Sequence, residues 1–422
     1  MPPILVALAA ATIAAGLLIA ALSQAGLGTP LPPFLMRWDP VVQWPAVVGV
    51  AVAGAGAWFA PRLIAAVRAP AAFAVLSYLL ALALGLSINA ARGGTSAWAH
   101  VFDLGPHGSF EASREYLPAL AQLTNGVKYY VSHFPALLPY LPTHTKGNPP
   151  GPVVVMHLLG ITSPARLAAA CVAVGALTAP LAYALGRTLG GEERGRVAGL
   201  LTAFSPALIL FGVTSVDYAF AALAVAMGWL LVSRPRAARA AGCALAGVAS
   251  FFSWLLLAIP AWAVLVILAR EGRRPAALVA VGAGVAIAAV NLALHLTLGY
   301  DPVAVLRALG PAYSHGIAAH RPYVYWVFGS PVAWLFMLGL PTAWLGLRAL
   351  ARGDPAAVAL AAMIVLAAVA GFTKAETERI WLPFVPLACV AAASVPLRRV
   401  RPVLLALAGQ AVVVELLFNT VW

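Results

Sequence analysis

Charge is what this sequence has least of. Lysine, arginine, aspartate and glutamate make up 9% of its 422 residues, where a soluble domain carries about 25%. Too few polar side chains are present to cover a water-facing globule, which excludes an ordinary soluble fold. Lysine occurs only at Lys128, Lys146 and Lys374. Cysteine is limited to Cys171, Cys243 and Cys389, each inside an apolar run. No CxxC pair exists, so neither a zinc site nor a disulfide framework is indicated and the redox compartment is left open. A glycine-rich phosphate loop, an HExxH helix and a GxSxG elbow are also missing. The net charge of +13 would suit nucleic acid, but the basic residues sit in short clusters between apolar runs. That placement signals membrane orientation and argues against a nucleic-acid partner.

What is present is hydrocarbon. Hydrophobic residues reach 63% and mean hydropathy is +0.93. Apolar runs of about 17–23 residues match the ~30 Å hydrocarbon core of a bilayer. The expected fold is an all-α integral membrane protein, a polytopic bundle of about thirteen transmembrane helices. The spans read as Pro3–Leu22, Pro45–Ala60, Ala71–Ile88, Pro164–Leu185, Val197–Val213, Tyr218–Val232, Ala240–Phe252, Leu255–Leu268, Ala276–Leu298, Pro331–Leu347, Ala356–Phe372, Trp381–Val395 and Val403–Phe418. Residues 1–422 are expected to form one transmembrane domain: N-terminal spans over 1–90, a polar loop over 91–152, and the remaining spans over 153–422. Met1 to Leu22 lacks a basic n-region, so it reads as an uncleaved span, although ALSQA (Ala21 to Ala25) weakly resembles a cleavage site.

Arginine sets the expected orientation. Alternate connections hold Arg62 and Arg68; Arg187, Arg194 and Arg196; Arg234, Arg236 and Arg239; Arg270, Arg273 and Arg274; Arg348 and Arg352; Arg398, Arg399 and Arg401. These are 16 of the 26 basic residues. The positive-inside rule places them in the cytoplasm, with the N-terminus on the same side and the 91–152 loop and Trp422 outside. The protein is then a multi-pass protein of the cell membrane, in contact with membrane lipid, whose chemically mixed connections face outward.

The loop over 91–152 gathers Asp103, Glu111, Glu115, His100, His107, His133, His144 and Lys146. Ser113 to Leu123 reads as a short helix with Ser113 as N-cap and Asn125-Gly126 as its stop. Val127, Tyr130, Val131, Phe134 and Leu138 recur at helical spacing, which suits a helix in the membrane interface, with Pro135 a candidate break. The pattern fits a hydrophobic cap on the bundle as well as it fits a substrate-guiding helix. The loop ends in HTKGNPPGP (His144 to Pro152), where Pro149 and Pro150 remove amide donors and Gly151 permits a tight turn. By itself this is a structural corner that holds His144 and Lys146 near the membrane surface. Outside the loop, Asp217 in SVDYAF reads equally as a helix N-terminal acid or a substrate contact. KAETERIWLPF (Lys374 to Phe384) carries Glu376 and Glu378, which could cap a helix, and Arg379, whose charge opposes the helix dipole. His315 and His320, with Tyr313, Tyr323, Tyr325 and Trp326, read as an aromatic interface belt rather than a metal site. Glu415 is an acid well inside a span.

In order and spacing, HTKGNPPGPVVVMHLLGITSPARLAAA, then a span, then GRTLGGEERGRVAGLLTAFSPALILFGVTSVDYAFA resembles the multi-span glycosyltransferases of the C superfamily. The similarity is to the protein mannosyltransferase and aminoarabinose transferase branch and covers roughly residues 91–235, with an echo at Lys374–Pro386. Two features depart from it. Asn148 stands where many members have histidine, and two spans precede the acidic loop in addition to the usual one.

The resemblance implies a helical bundle with an external loop carrying short interfacial helices. It also implies a sugar donor on a polyprenyl phosphate and an inverting transfer with a loop carboxylate as general base. SREYL (Ser113 to Leu117) matches the family's acidic-then-tyrosine segment, which makes Glu115 the leading base, with Glu111 and Asp103 as alternatives. His144, Lys146, Asn148, Asp217, Lys374, Glu376, Glu378 and Arg379 become candidate substrate-binding residues, and arginine suits the departing phosphate best. The acceptor could be a glycan, a lipid or a protein. Some relatives use a divalent cation and others none; no metal ligand is assigned. Two other classes fit the sequence: a transporter or flippase of lipid-linked glycans, and a non-catalytic partner in envelope assembly. A transporter would show broken helices and polar residues at mid-membrane, whereas these carboxylates collect outside the spans.

Overall fold

A computed structural model describes residues 3–23, 27–106, 108–396, 399–420 and 422. His107, Arg398 and part of the ALSQA segment lie outside the described residues. The described residues are helical apart from a two-stranded pairing of Arg37–Trp38 with Phe418–Asn419, an isolated bridge between Leu31 and Phe34, and the connecting turns. It divides into two compact units, Met1–Trp98 with Cys171–Trp229 and His320–Trp422, and Ala99–Ala170 with Leu230–Ala319.

Among the described residues seven helical stretches are long and apolar enough to cross a membrane, or eight if a bent pair counts as one span. The thirteen expected spans are therefore not all full-length helices. Asp217–Val232, Pro355–Ala370 and Leu382–Ala392 are apolar but shorter. One of the seven stretches, Pro164–Ala203, runs through a reversal. Gly190 and Gly191 leave helical geometry, Gly191 at φ 86°. Beyond them Gly195 and Gly199 come back against Tyr183: a Cβ at Gly195 would lie 2.7 Å from the Tyr183 carbonyl, and one at Gly199 would lie 3.2 Å from its Cβ. Small residues at such a crossing let two backbones approach, as membrane helices require in the absence of a hydrophobic drive between them. The stretch is a helical hairpin, with its turn where the sequence placed the GRTLGGEERGR connection.

The expected span Pro331–Leu347 is corrected. Helices Tyr323–Leu338 and Leu340–Ala351 meet at Gly339 with a bend of 113°, and Gly339 sits at φ 103°. Breaking a helix inside the apolar layer strands backbone groups with no water to satisfy them. Gln410 takes up two of these: its Oε1 accepts from Leu340 N at 2.9 Å and its Nε2 donates to Phe336 O at 2.7 Å. Ser205 Oγ donates to Leu338 O at 3.2 Å. Hydropathy averages across such a break, so it could not show it.

Connections that the arginine pattern assigns to one membrane face touch one another. In the first unit Arg196 donates to Val67 O at 2.7 Å, and Arg194 pairs with Asp354 at 3.0 Å. Asp354 also caps helix Pro355–Ala370 through Ala356 N and Ala357 N. In the second unit Arg239 pairs with Glu271 at 2.6 Å. Segments assigned to the opposite face meet likewise: Arg92 contacts Asp39 at 3.3 Å, and Asn419 donates to the same carboxylate at 3.2 Å.

The expected interfacial helix is shorter than its pattern. It runs Val127–Ser132, breaks at His133, and resumes as Phe134–Leu137 with Pro135 in its first turn. Tyr130, Val131, Phe134 and Leu138 are buried, and a Cβ at Gly299 would lie 2.9 Å from Ser132 Cβ. The apolar stripe is buried within the second unit. Of the expected aromatic belt, Tyr325 and Trp326 are corrected, being buried beside Leu27 and Ala375, whereas Tyr323 is exposed.

Candidate functional site

The second unit carries the acidic cluster. Ser109, not Ser113, is the N-cap, with its side chain accepting from Glu111 N at 3.1 Å. The helix expected from Ser113 is two 3₁₀ pieces, Phe110–Arg114 and Leu117–Asn125, with Glu115 extended between them at ψ −172°. Pro118 explains the break, since it removes the amide that would carry one helix through Glu115 and Tyr116. The stop at Gly126, φ 88°, lies where the sequence placed it.

This broken geometry turns both glutamates toward one histidine. His144 Nε2 lies 3.6 Å from Glu115 Oε1 and 3.9 Å from Glu111 Oε2, close enough for charge attraction and longer than a direct hydrogen bond. Glu115 is 1% exposed and Glu111 4%. Burying carboxylates is costly unless cations or donors compensate. Arg114 does so for Glu111 at 3.1 Å and itself stacks over Phe110 at 4.5 Å. Asn148 Nδ2 donates to the Tyr116 hydroxyl at 2.9 Å and to His144 O at 3.1 Å. The residue that departs from the family pattern thereby ties the acidic-then-tyrosine segment to the histidine turn.

The proline corner fixes where that turn sits. Thr143–Gly147 is a single helical turn and Gly151–Leu158 a helix. Gly151 N donates to Phe251 O at 2.9 Å, and a Cβ there would come within 2.2 Å of that oxygen. Only glycine allows this approach. Lys146 shares the His144 turn and is half-buried. Asp103 serves its own turn, with Oδ1 accepting from Gly105 N at 2.9 Å.

A second cluster lies within the first unit. Arg379 is 1% exposed, with Nε 3.8 Å from Asp217 Oδ2 and its guanidinium carbon 4.8 Å from the Trp422 ring centre. Trp422 in turn meets Phe211 edge-on at 5.4 Å. Phe211 belongs to the π-helical turn Leu208–Gly212. Asp217 opens helix Asp217–Val232, and its amide donates to Ser215 Oγ at 3.0 Å.

Glu376 pairs with Arg321, whose other amino group donates to Lys374 O at 2.6 Å. Glu378 Oε1 accepts from Leu35 N at 2.8 Å, while its Oε2 is buried with no hydrogen-bond partner among the described residues. Burial pushes the Glu378 carboxyl up to about 7, against the lowering effect of the Leu35 amide. Neither acid caps helix Thr377–Ile380 through its side chain, so the expected capping role is replaced by these contacts.

Glu111, Glu115, His144 and Asn148 are thus brought together, as are Asp217 with Arg379 and Glu376 with the Lys374 backbone. Sequence reading overlooked Arg321, Tyr116 and Trp422. A signal for Arg321 was available: it is an arginine in a connection assigned to the face that the positive-inside rule leaves poor in arginine. Among the described residues no group of three histidine, cysteine, aspartate or glutamate side chains is set to hold a metal ion.

No family model and no curated protein matches the sequence. Among solved structures, the oligosaccharyltransferase of Archaeoglobus fulgidus, crystallised as a complex with zinc and sulfate, aligns at a TM-score of 0.44 and 18% identity. The alignment covers 76% of this chain and 48% of that one, so the chain spans about half the length of that protein. A likeness that distant bears on neither the site nor the chemistry of this chain.

Proposed function

We propose that this protein is a membrane glycosyltransferase that moves a sugar from a polyprenyl-phosphate donor to an acceptor hydroxyl on the extracytoplasmic face. The observation that carries this reading is Glu115: a carboxylate 1% exposed, 3.6 Å from His144, in the long polar loop of an otherwise apolar chain. A buried carboxylate held by an imidazole is suited to general-base work. In the step, the acceptor oxygen attacks the anomeric carbon and its proton passes to Glu115. The bond from that carbon to the phosphate oxygen breaks, and the electron pair leaves with the polyprenyl phosphate. Glu111 and His144 orient Glu115. Asn148 fixes Tyr116 beside it, and Lys146 is a cation on the same turn as His144.

Within the first unit taken by itself, Arg379 beside Asp217 has the chemistry to hold a lipid-linked phosphate. Its Nε lies 3.8 Å from Asp217 Oδ2, and Trp422 lies over the guanidinium at 4.8 Å, a contact that holds the face of the group, whereas a phosphate bonds its in-plane N–H edge. A transporter is favoured less, because broken helices in transporters leave backbone groups facing a substrate path. At Gly339 Gln410 and Ser205 take those groups up.

The test uses membranes of known sidedness bearing the full chain and a panel of labelled polyprenyl-phosphate sugars. Wild type is expected to transfer label to an acceptor on the extracytoplasmic side. Glu115→Gln keeps shape and hydrogen bonding but cannot take the proton, so transfer should fall by ~10²–10⁴ while donor binding persists. Wild-type transfer by Glu115→Gln would remove Glu115 from the role.

A further inference from the structure

The turn before Arg379 holds two adjacent residues in a conformation that L side chains avoid. Ala375 sits at φ 65° and Glu376 at φ 59°, and among the described residues these are the two non-glycine positions with positive φ. Such a turn persists only where its surroundings over-determine it. Here the surroundings are specific. Arg321 spans the turn, donating through one amino group to Lys374 O at 2.6 Å and through the other to the Glu376 carboxylate. Its stem lies on Gly28, where an added Cβ would come within 3.1 Å of Arg321 Cγ. Ala375 is packed against Leu27, Tyr325 and Trp326. Thr377 Oγ1 donates to Ser330 O at 2.7 Å, and Leu35 N holds Glu378. Directly after the turn, Glu376 O accepts from Arg379 N at 3.0 Å and from Ile380 N at 2.8 Å. The direction in which Arg379 leaves the turn is therefore set by the backbone that Arg321 grips.

We propose that Arg321 is a positioning residue for Arg379: it clamps the left-handed Ala375–Glu376 turn so that the following helical turn aims the Arg379 guanidinium at the phosphate group of a polyprenyl phosphate. Two parallel donors on a rigid fork can grip a carbonyl and a carboxylate together, which a lysine ammonium cannot do at both points. The aim at a phosphate rests on the proposed function; the clamp itself does not.

The experiment separates the two. The full chain is reconstituted in nanodiscs as wild type, Arg321→Lys, Arg379→Lys, the Arg321→Lys/Arg379→Lys double variant, Ala375→Gly, and Arg321→Lys with Ala375→Gly. Arg321→Lys keeps the buried charge and protects against simple misfolding. One arm follows hydrogen exchange of the amides over 377–381. Arg321→Lys should accelerate it about tenfold, the scale expected when one left-handed non-glycine residue loses its support, and Ala375→Gly should slow it again, because glycine adopts positive φ without steric penalty. The other arm measures binding of a short-chain polyprenyl phosphate, with inorganic phosphate as the free-anion comparison.

Arg321→Lys should weaken polyprenyl-phosphate binding, with partial rescue by Ala375→Gly and no added loss in the double variant, since both changes act through one guanidinium. In transfer assays the loss should fall on donor affinity rather than on turnover at saturating donor. Unchanged exchange in Arg321→Lys, or exchange not restored by Ala375→Gly, overturns the clamp. Altered exchange with unchanged binding in both Arg321→Lys and Arg379→Lys leaves the clamp standing and overturns its aim at a phosphate. Equal binding of inorganic phosphate would make the site a free-anion site rather than a lipid-phosphate site and would overturn the donor assignment.

Discussion

His144 presents one ring nitrogen to two buried carboxylates, 3.6 Å from Glu115 and 3.9 Å from Glu111. A shared imidazole makes the two acids unequal partners in any proton transfer, because a shift toward one weakens its hold on the other. Glu111 also has Arg114 at 3.1 Å, and Glu115 lies the nearer of the two to His144. Glu111→Gln should therefore reduce sugar transfer far less than Glu115→Gln, and His144→Asn should fall between them. Rates of labelled transfer in membranes decide the order; a larger loss for Glu111→Gln would exchange the two assignments.

Trp422 stacks on Arg379 at 4.8 Å. A desolvated cation–π contact is worth up to about 2 kcal/mol and holds the face of that guanidinium, leaving its in-plane N–H edge to a phosphate. Trp422→Ala is expected to weaken polyprenyl-phosphate binding by up to ~30-fold as the guanidinium loses that hold, with Trp422→Phe in between. Equilibrium binding in nanodiscs measures this. Tighter binding in Trp422→Ala would mean that the ring obstructs the site instead of holding the guanidinium.

Glu378 carries a pH dependence whose sign follows from its raised folded value of about 7. Between its unfolded value, near 4.3, and about 7, the folded protein binds the extra proton, so stability falls as pH rises through this window. The contribution is fully present below the unfolded value and gone above about 7. Glu378→Gln should flatten the slope of thermal stability between about pH 5 and pH 7. The same slope in wild type and variant would exclude Glu378 as its source.

Gln410 seals the break at Gly339 with two hydrogen bonds. Gln410→Leu leaves Leu340 N without that partner, at a cost of roughly 1–3 kcal/mol, while Phe336 O keeps the Gly339 amide at 3.1 Å. Thermal unfolding in a bilayer mimetic should show the loss. An unchanged midpoint would mean that other groups or lipid satisfy the break.

Much of the architecture follows from sequence alone, because composition acts locally. Apolar runs become helices since a bilayer tolerates no unpaired backbone, and prolines and glycines mark their ends. The Gly190–Gly191 reversal, the stop at Gly126 and the interruption near Pro135 were all legible on these grounds. So was the grouping of arginine-bearing connections, whose members Arg196 and Val67, or Arg239 and Glu271, meet in space.

Tertiary structure alone decided the chemistry of the two clusters. Glu115 and His144 lie far apart in sequence, and no local pattern records that an extended residue between two 3₁₀ turns will face a histidine held by a glycine against Phe251. The same is true of Arg321, which a linear reading passes over and whose fork closes on a turn more than fifty residues later in the chain. It is true again of the 113° bend at Gly339, which lies inside a run that hydropathy reads as continuous. Hydropathy depends on what each residue is, and a sequence states that fully. A site depends on which groups share a volume from which water is excluded, and only packing between distant segments settles that.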